Sequence, residues 1–122
     1  MTPQFKREYN MSTSFKELKS RTLKLNFEFD FLSEMEINTN LITKKEIENI
    51  STKANILLTE ILLSLVEHKK LSESDEFMSI DDVEKKSKEF ILLIKYGDSI
   101  NNHLIDYGIE TEWDSFKLKM GV

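Results

Sequence analysis

The chain has 122 residues, no cysteine and a formal net charge of −5 at pH 7. This length fits one domain with its own hydrophobic core, and the lack of cysteine excludes disulfides and thiolate chemistry. The negative charge argues against general nucleic-acid binding, which depends on the neutralisation of phosphates.

The first residues are basic, unlike the rest of the chain. Residues 1–25 contain six Lys or Arg against two Glu, a net charge of +4. We expect residues 1–13 to form a flexible basic arm and residues 14–122 to form a single helical domain. The arm could contact RNA, an acidic partner or the acidic side of its own chain. It has no apolar signal-peptide region, so we expect a cytoplasmic protein.

The segment at residues 22–32 is compatible with two structures. An alternation typical of a strand is formed by Leu23, Leu25, Phe27, Phe29 and Phe31. The heptad spacing of a helix is met equally well by Phe15, Leu18, Leu25, Phe29 and Leu32, and "SFKE" at 14–17 resembles a capping box. We favour a helix, because a lone strand leaves its backbone unpaired and no clear hairpin turn supplies a partner. A strand at 22–32 in an α+β fold remains the alternative.

Residues 43–70 predict the central helix of the bundle. Thr43 and Glu46 have the spacing of a capping box, and His68 and two lysines fall in the last turn, where positive charge suits the helix dipole. At about 100° per residue, one side carries Ile47, Ile50, Ala54, Leu57, Leu58, Ile61, Leu62 and Leu65. We expect this side to face the core, with Leu57, Leu58, Ile61, Leu65, Phe90 and Ile94 buried.

A second apolar strip on the same helix consists of Ile56 and Leu63. It could pack against a neighbouring helix or form a dimer or partner interface. Glu60 and Glu67 interrupt the apolar stretch, which is too short for a membrane span of about 20 residues. We therefore expect no membrane insertion.

Residues 73–84 are acidic and contain no basic residue. One interpretation is a solvated loop followed by the ordinary acidic first turn of a helix. The other is an acidic surface that steers a basic partner, with Phe77 as an apolar anchor. The acidic residues are Glu73, Asp75, Glu76, Asp81, Asp82 and Glu84.

The last third of the chain predicts further helices, although "EWDSFKLKM" at 112–120 fits either a closing helix or an edge strand. Ser79 and Asp82 have capping spacing, and an apolar stripe follows at Ile80, Val83, Phe90, Ile91 and Ile94. The stripe rotates after Gly97, which predicts two helices or a kink, with Gly97 closing the first helix and Asp98 capping the second. Trp113 and Phe116 are most simply core lids; the alternative is a contact surface.

The sequence contains few candidate catalytic groups. His68 and His103 are the only near-neutral bases, and neither has metal-ligand spacing. The stretch "DSINNHL" loosely resembles the Arg-x-x-x-x-His arrangement of small helical RNases, but the arginine is missing. We therefore expect no enzyme, no metal and no cofactor.

The sequence thus predicts an all-α bundle of about four helices that binds another protein, which could be basic, and occludes or modulates it. Immunity proteins, antitoxins, phage inhibitors and chaperones share this physical type, which is an analogy only. The alternatives are a nucleic-acid-binding regulator that uses the basic arm and a small RNase that uses His103. The sequence is also compatible with a homodimer. The candidate partner-binding residues are Glu73, Asp75, Glu76, Phe77, Asp81, Asp82, Glu84, Trp113 and Phe116.

Overall fold

A computed structural model describes residues 13–39, 43–73 and 79–122, with side chains for all of these except 36–39 and 71–73. It contains four helices, and no strand occurs within these ranges. Helices α1, α2 and α3 pack against one another, and α4 packs on α3. The predicted all-α bundle is confirmed, and the alternative strand at 22–32 is wrong. The helices are α1 (Phe15–Thr39), α2 (Lys44–Glu73), α3 (Ile80–Asp106) and α4 (Trp113–Met120).

Helix α1 resolves the ambiguity of its sequence by splitting the alternating residues between two faces. Four residues of the heptad set are buried: Leu18, Leu25, Phe29 and Leu32. The remaining members of the alternation, Leu23, Phe27 and Phe31, are exposed. Ser14 caps the helix by accepting a hydrogen bond on its hydroxyl from the backbone N–H of Glu17 at 3.2 Å. A helix is favoured over a strand here because one face of the helix packs against both α2 and α3.

The predicted caps of α2 and α3 are present. The Thr43 hydroxyl accepts from the backbone N–H of Glu46 at 3.2 Å, and the Glu46 carboxylate accepts from the backbone N–H of Thr43 at 3.2 Å. This reciprocal pair is a capping box. The Ser79 hydroxyl accepts from the backbone N–H of Asp82 at 3.1 Å. Both helix starts therefore follow from local sequence.

The core lies where α1, α2 and α3 meet. Leu57, Leu58, Ile61 and Leu65 of α2 are buried as predicted. The prediction for α3 is right only in part, because Phe90 and Ile94 are half-buried at the edge of the core. The predicted stripe was set by apolar residues near the start of α3, several of which the structure leaves exposed. The buried face of α3 consists of Leu93, Gly97, Ile100, Asn101 and Leu104.

Gly97 does not end a helix, so the predicted division of this segment into two helices at Gly97 is wrong. It lies inside α3, where the indole of Trp113 packs directly on it. Asp98 does not cap a helix either. Its carboxylate accepts hydrogen bonds from Nε1 of Trp113 and Nζ of Lys117, each at 2.7 Å. Gly97 and Asp98 together hold α4 against α3. The later glycine, Gly108, follows the end of α3 with a φ of 75°.

A bidentate ion pair joins α1 to α2. The two guanidinium nitrogens of Arg21 donate to the two carboxylate oxygens of Glu60 at 2.9 and 2.6 Å, and the Thr13 hydroxyl donates to the same carboxylate. These hydrogen bonds, chiefly those from Arg21, lower the pKa of Glu60 despite its partial burial. The carboxylate in turn raises the pKa of Arg21.

This ion pair makes the unfolding free energy depend on pH in the acidic range. Because the pKa of Glu60 is lowered in the folded state, the pair stabilises the fold above the unfolded pKa of about 4.3. That stabilisation is lost as the pH falls through the lower folded value. Glu60→Gln is expected to cost about 1 kcal/mol at pH 7, the scale of a partly exposed ion pair. It should also flatten the acid dependence of the unfolding free energy, measured by denaturation at several pH values.

Glu48→Gln is the matched control, since Glu48 is an exposed glutamate of the same helix. It should leave both the stability at pH 7 and its acid dependence near those of the wild type. An acid dependence of Glu60→Gln parallel to the wild type would show that the pair with Arg21 does not form in solution.

Candidate protein-binding surfaces

The acidic segment is described in part. Asp81, Asp82 and Glu84 lie in the first two turns of α3, and all three are exposed. Asp75, Glu76 and Phe77 lie outside the described residues, as does the side chain of Glu73, the last residue of α2.

Two observations bear on whether the first two turns of α3 can bind a partner. Ile80 is 84% exposed beside the carboxylates, so an apolar side chain is available there. Positive charge follows at once, since Lys85, Lys86 and Lys88 come next in the helix and Lys88 pairs with Glu84 at 3.5 Å. The described part of the acidic segment is therefore limited to the first two turns of α3, where its negative charge also suits the helix dipole. We call Ile80, Asp81, Asp82 and Glu84 the α3 front.

The two aromatic candidates of α4 differ in exposure. Trp113 is 1% exposed, and its indole lies between Gly97 and the Asp98 carboxylate. Phe116 is half-buried and stacks on Trp113 with ring centroids 6.1 Å apart. Trp113 therefore fills the core, in line with the simpler of the two interpretations, and in this conformation only Phe116 has surface to offer a partner.

Three large apolar side chains lie together on the outer face of α1, and we call them the α1 stripe. Leu23 is 60% exposed, Phe27 71% and Phe31 56%. They are spaced four residues apart, which places them in one row along the helix. Single exposed apolar residues are common on protein surfaces, but a contiguous patch is typical of an interaction site.

The α1 stripe borders a groove. This groove, of about 440 Å³, lies between α1 and α2. Phe27 and Phe31 belong to its α1 wall, and Asn49 and Lys53 belong to its α2 wall. Aromatic side chains beside a recess are the anchors that protein interfaces favour.

The sequence pattern contained the α1 stripe, but its meaning depended on the helix. While residues 22–32 could form a strand, Phe27 and Phe29 shared a predicted face. Once the heptad set is assigned to the core, the remaining large apolar residues fall outside it at four-residue spacing. This leftover row of large apolar residues is the sequence signal that would have identified the surface.

The two histidines are engaged within the fold. His68 is buried; its Nδ1 lies 2.8 Å from the Ser64 carbonyl oxygen and its Nε2 lies 3.2 Å from the Glu89 carboxylate. His103 stacks on the core ring of Phe29, with centroids 4.5 Å apart and planes 7° apart. His68 thus links α2 to α3, and His103 packs against α1.

Comparisons of the chain with protein-family models, curated proteins and solved structures found no match. In the described part of the chain, no helix has the length and apolarity needed to cross a membrane. Across residues 13–39, 43–73 and 79–122, no group of three or more histidine, aspartate or glutamate side chains is arranged to hold a metal ion.

Proposed function

We propose that this protein acts by binding another protein chain and covering or modulating it, without catalysis of its own. The observation that carries the proposal is the exposure of the α1 stripe. The fold does not use these side chains, because the core of α1 is built from the opposite face.

The energetics favour a protein contact at the α1 stripe. Burying a large apolar side chain contributes about 1.5–3 kcal/mol, and Phe27 and Phe31 keep more than half of their surface exposed in the folded chain. When a partner covers the α1 stripe, the free energy of apolar burial offsets part of the entropy lost on association. Phe27, the most exposed of the three, lies at the centre of the row, where interface hot spots cluster.

The α3 front is the second candidate surface. Its support is the 84% exposure of Ile80 directly beside Asp81 and Asp82. A basic partner would be steered by the carboxylates and anchored by Ile80. Because exposed charges are screened beyond about 8–10 Å at physiological salt, association through this surface would slow as salt rises.

Capture from the native host tests the choice of surface. Tagged wild-type protein is purified and the proteins that co-purify are identified and measured. Phe27→Ser is expected to weaken binding of the partner about tenfold or more, because it removes a central aromatic anchor. Leu118→Ser is the matched control, since Leu118 is 81% exposed on α4 and lies outside the α1 stripe.

Binding through the α3 front would give a different result in the same experiment. If Phe27→Ser retains the partner while Asp81→Asn with Asp82→Asn loses it in a salt-dependent way, the α3 front is the binding surface. Equal losses for Phe27→Ser and Leu118→Ser would show non-specific apolar capture and would contradict the proposal.

A further inference from the structure

Helix α1 changes the sign of its charge near its midpoint, and the α1 stripe spans that midpoint. Residues 16–24 contain four basic residues against Glu17, and residues 28–34 contain three acidic residues and no basic one. Arg21 and Glu28 are used inside the fold, in ion pairs with Glu60 and Lys53. Within the described part of the chain, no ion pair engages the exposed Lys19, Lys24, Asp30 or Glu34.

We propose that the α1 stripe binds the α1 stripe of a second copy of this chain, with the two helices antiparallel about a two-fold axis at Phe27. This inference names the partner of the surface proposed above and rests on that proposal. A two-fold interface needs one patch that is complementary to itself. Helix α1 meets this need, because antiparallel pairing sets the basic half of each copy against the acidic half of the other.

The spacing of the α1 stripe suits this axis. Leu23 lies four residues before Phe27, and Phe31 lies four residues after it. Each Leu23 therefore comes level with Phe31 of the other copy, and the two Phe27 rings meet at the centre. The seam is apolar along its whole length, as the desolvated centre of a stable interface is.

The charged residues on one flank of the α1 stripe support the same orientation. At about 100° per residue, Lys19, Asp30 and Glu34 lie on the flank away from α2. Lys19 is eight residues before Phe27 and Glu34 is seven after it, so antiparallel copies place Lys19 of one near Glu34 of the other at both ends. Parallel copies would bring the two basic halves level with each other, and likewise the two acidic halves, which disfavours that arrangement.

The oligomeric state of the full chain tests the interface. Sedimentation over a wide range of concentration should show a monomer–dimer equilibrium. Phe27→Ser should raise the dissociation constant of the dimer about tenfold or more, while Leu118→Ser leaves it near the wild-type value. A wild-type chain that stays monomeric at every concentration would overturn the proposal.

Single cysteines test the orientation, because the chain has none of its own. Phe27→Cys, on the axis, should form a disulfide between copies under mild oxidation. Leu23→Cys alone should not, since the two copies of position 23 lie about 12 Å apart along the helix at about 1.5 Å per residue, beyond the about 4.4–6.8 Å that a disulfide spans. A mixture of Leu23→Cys and Phe31→Cys should cross-link. Self-linking of Leu23→Cys would overturn the antiparallel arrangement.

Charge reversal tests the pairing of the two halves. Lys19→Glu and Glu34→Lys should each raise the dimer dissociation constant about threefold or more, on the scale of exposed ion pairs. The double variant should return it towards the wild-type value, because the pairing is restored with opposite signs. Additive losses in the double variant would contradict the proposed pairing.

The two proposals fail in distinguishable ways. If the chain is monomeric but Phe27→Ser still loses a host protein, self-association is overturned and the binding function through the α1 stripe stands. If the dimer forms as expected and Phe27→Ser breaks it while the host protein stays bound, self-association is supported and the partner surface lies elsewhere on the fold.

Discussion

Gly97→Ala is expected to destabilise the protein, although replacing glycine by alanine inside a helix ordinarily stabilises by about 1 kcal/mol. A Cβ at position 97 would lie 2.0 Å from Cη2 of Trp113, far inside van der Waals contact. The indole is buried and held by its hydrogen bond to Asp98, so it has little freedom to move away. We expect a net loss of about 2 kcal/mol or more, the scale of overpacking in a core, measured by chemical denaturation.

Two comparisons separate this clash from a general effect of alanine in α3. Ser87→Ala changes an exposed position of the same helix and should be neutral or stabilise slightly. Trp113→Leu removes the ring that Gly97 accommodates, so Gly97→Ala should cost less in that background than in the wild type. The difference is the coupling energy of a double-mutant cycle. A stabilising Gly97→Ala in the wild-type background would show that the indole packs elsewhere.

The case of Gly97 shows why part of α3 could not be predicted. A glycine within a helical pattern fits a helix end, and it fits equally well a position where another side chain approaches the backbone. The second use depends on Trp113, which is distant in sequence and reaches α3 only through the fold. Local patterns succeeded where the causes were local, as in the capping box of Thr43 with Glu46 and the cap at Ser79.

The candidate surfaces also differ in how far the sequence alone could predict them. The acidic residues of the α3 front are visible in the sequence because charge is a property of composition. The α1 stripe is different, since Phe27 and Phe29 are both large aromatic residues and only the packing of α1 assigns one to solvent and the other to the core. Trp113 carried the same ambiguity, and the depth of its burial decides it. Exposure is a property of the fold, and it could be predicted for α1 only after the helix was preferred to the strand.

Ile61→Ala is expected to have the other large effect on stability, and Ile56→Ala provides its control in the same helix. Ile61 is fully buried, whereas Ile56 is 52% exposed. The two substitutions remove the same atoms and change helix propensity equally, so their difference isolates burial. Ile61→Ala should cost about 2–5 kcal/mol, since it leaves a cavity that α1 and α3 can only partly fill.

Ile56→Ala should change the unfolding free energy by less than about 1 kcal/mol, as surface substitutions do. Chemical denaturation compares the two variants at the same protein concentration, and the comparison is repeated at several concentrations to detect any contribution of self-association. Similar costs for the two substitutions would mean that Ile56 is covered in solution. Because Ile56 lies on α2 beside α1, a cost that grows with protein concentration would indicate that a second copy covers more than the α1 stripe.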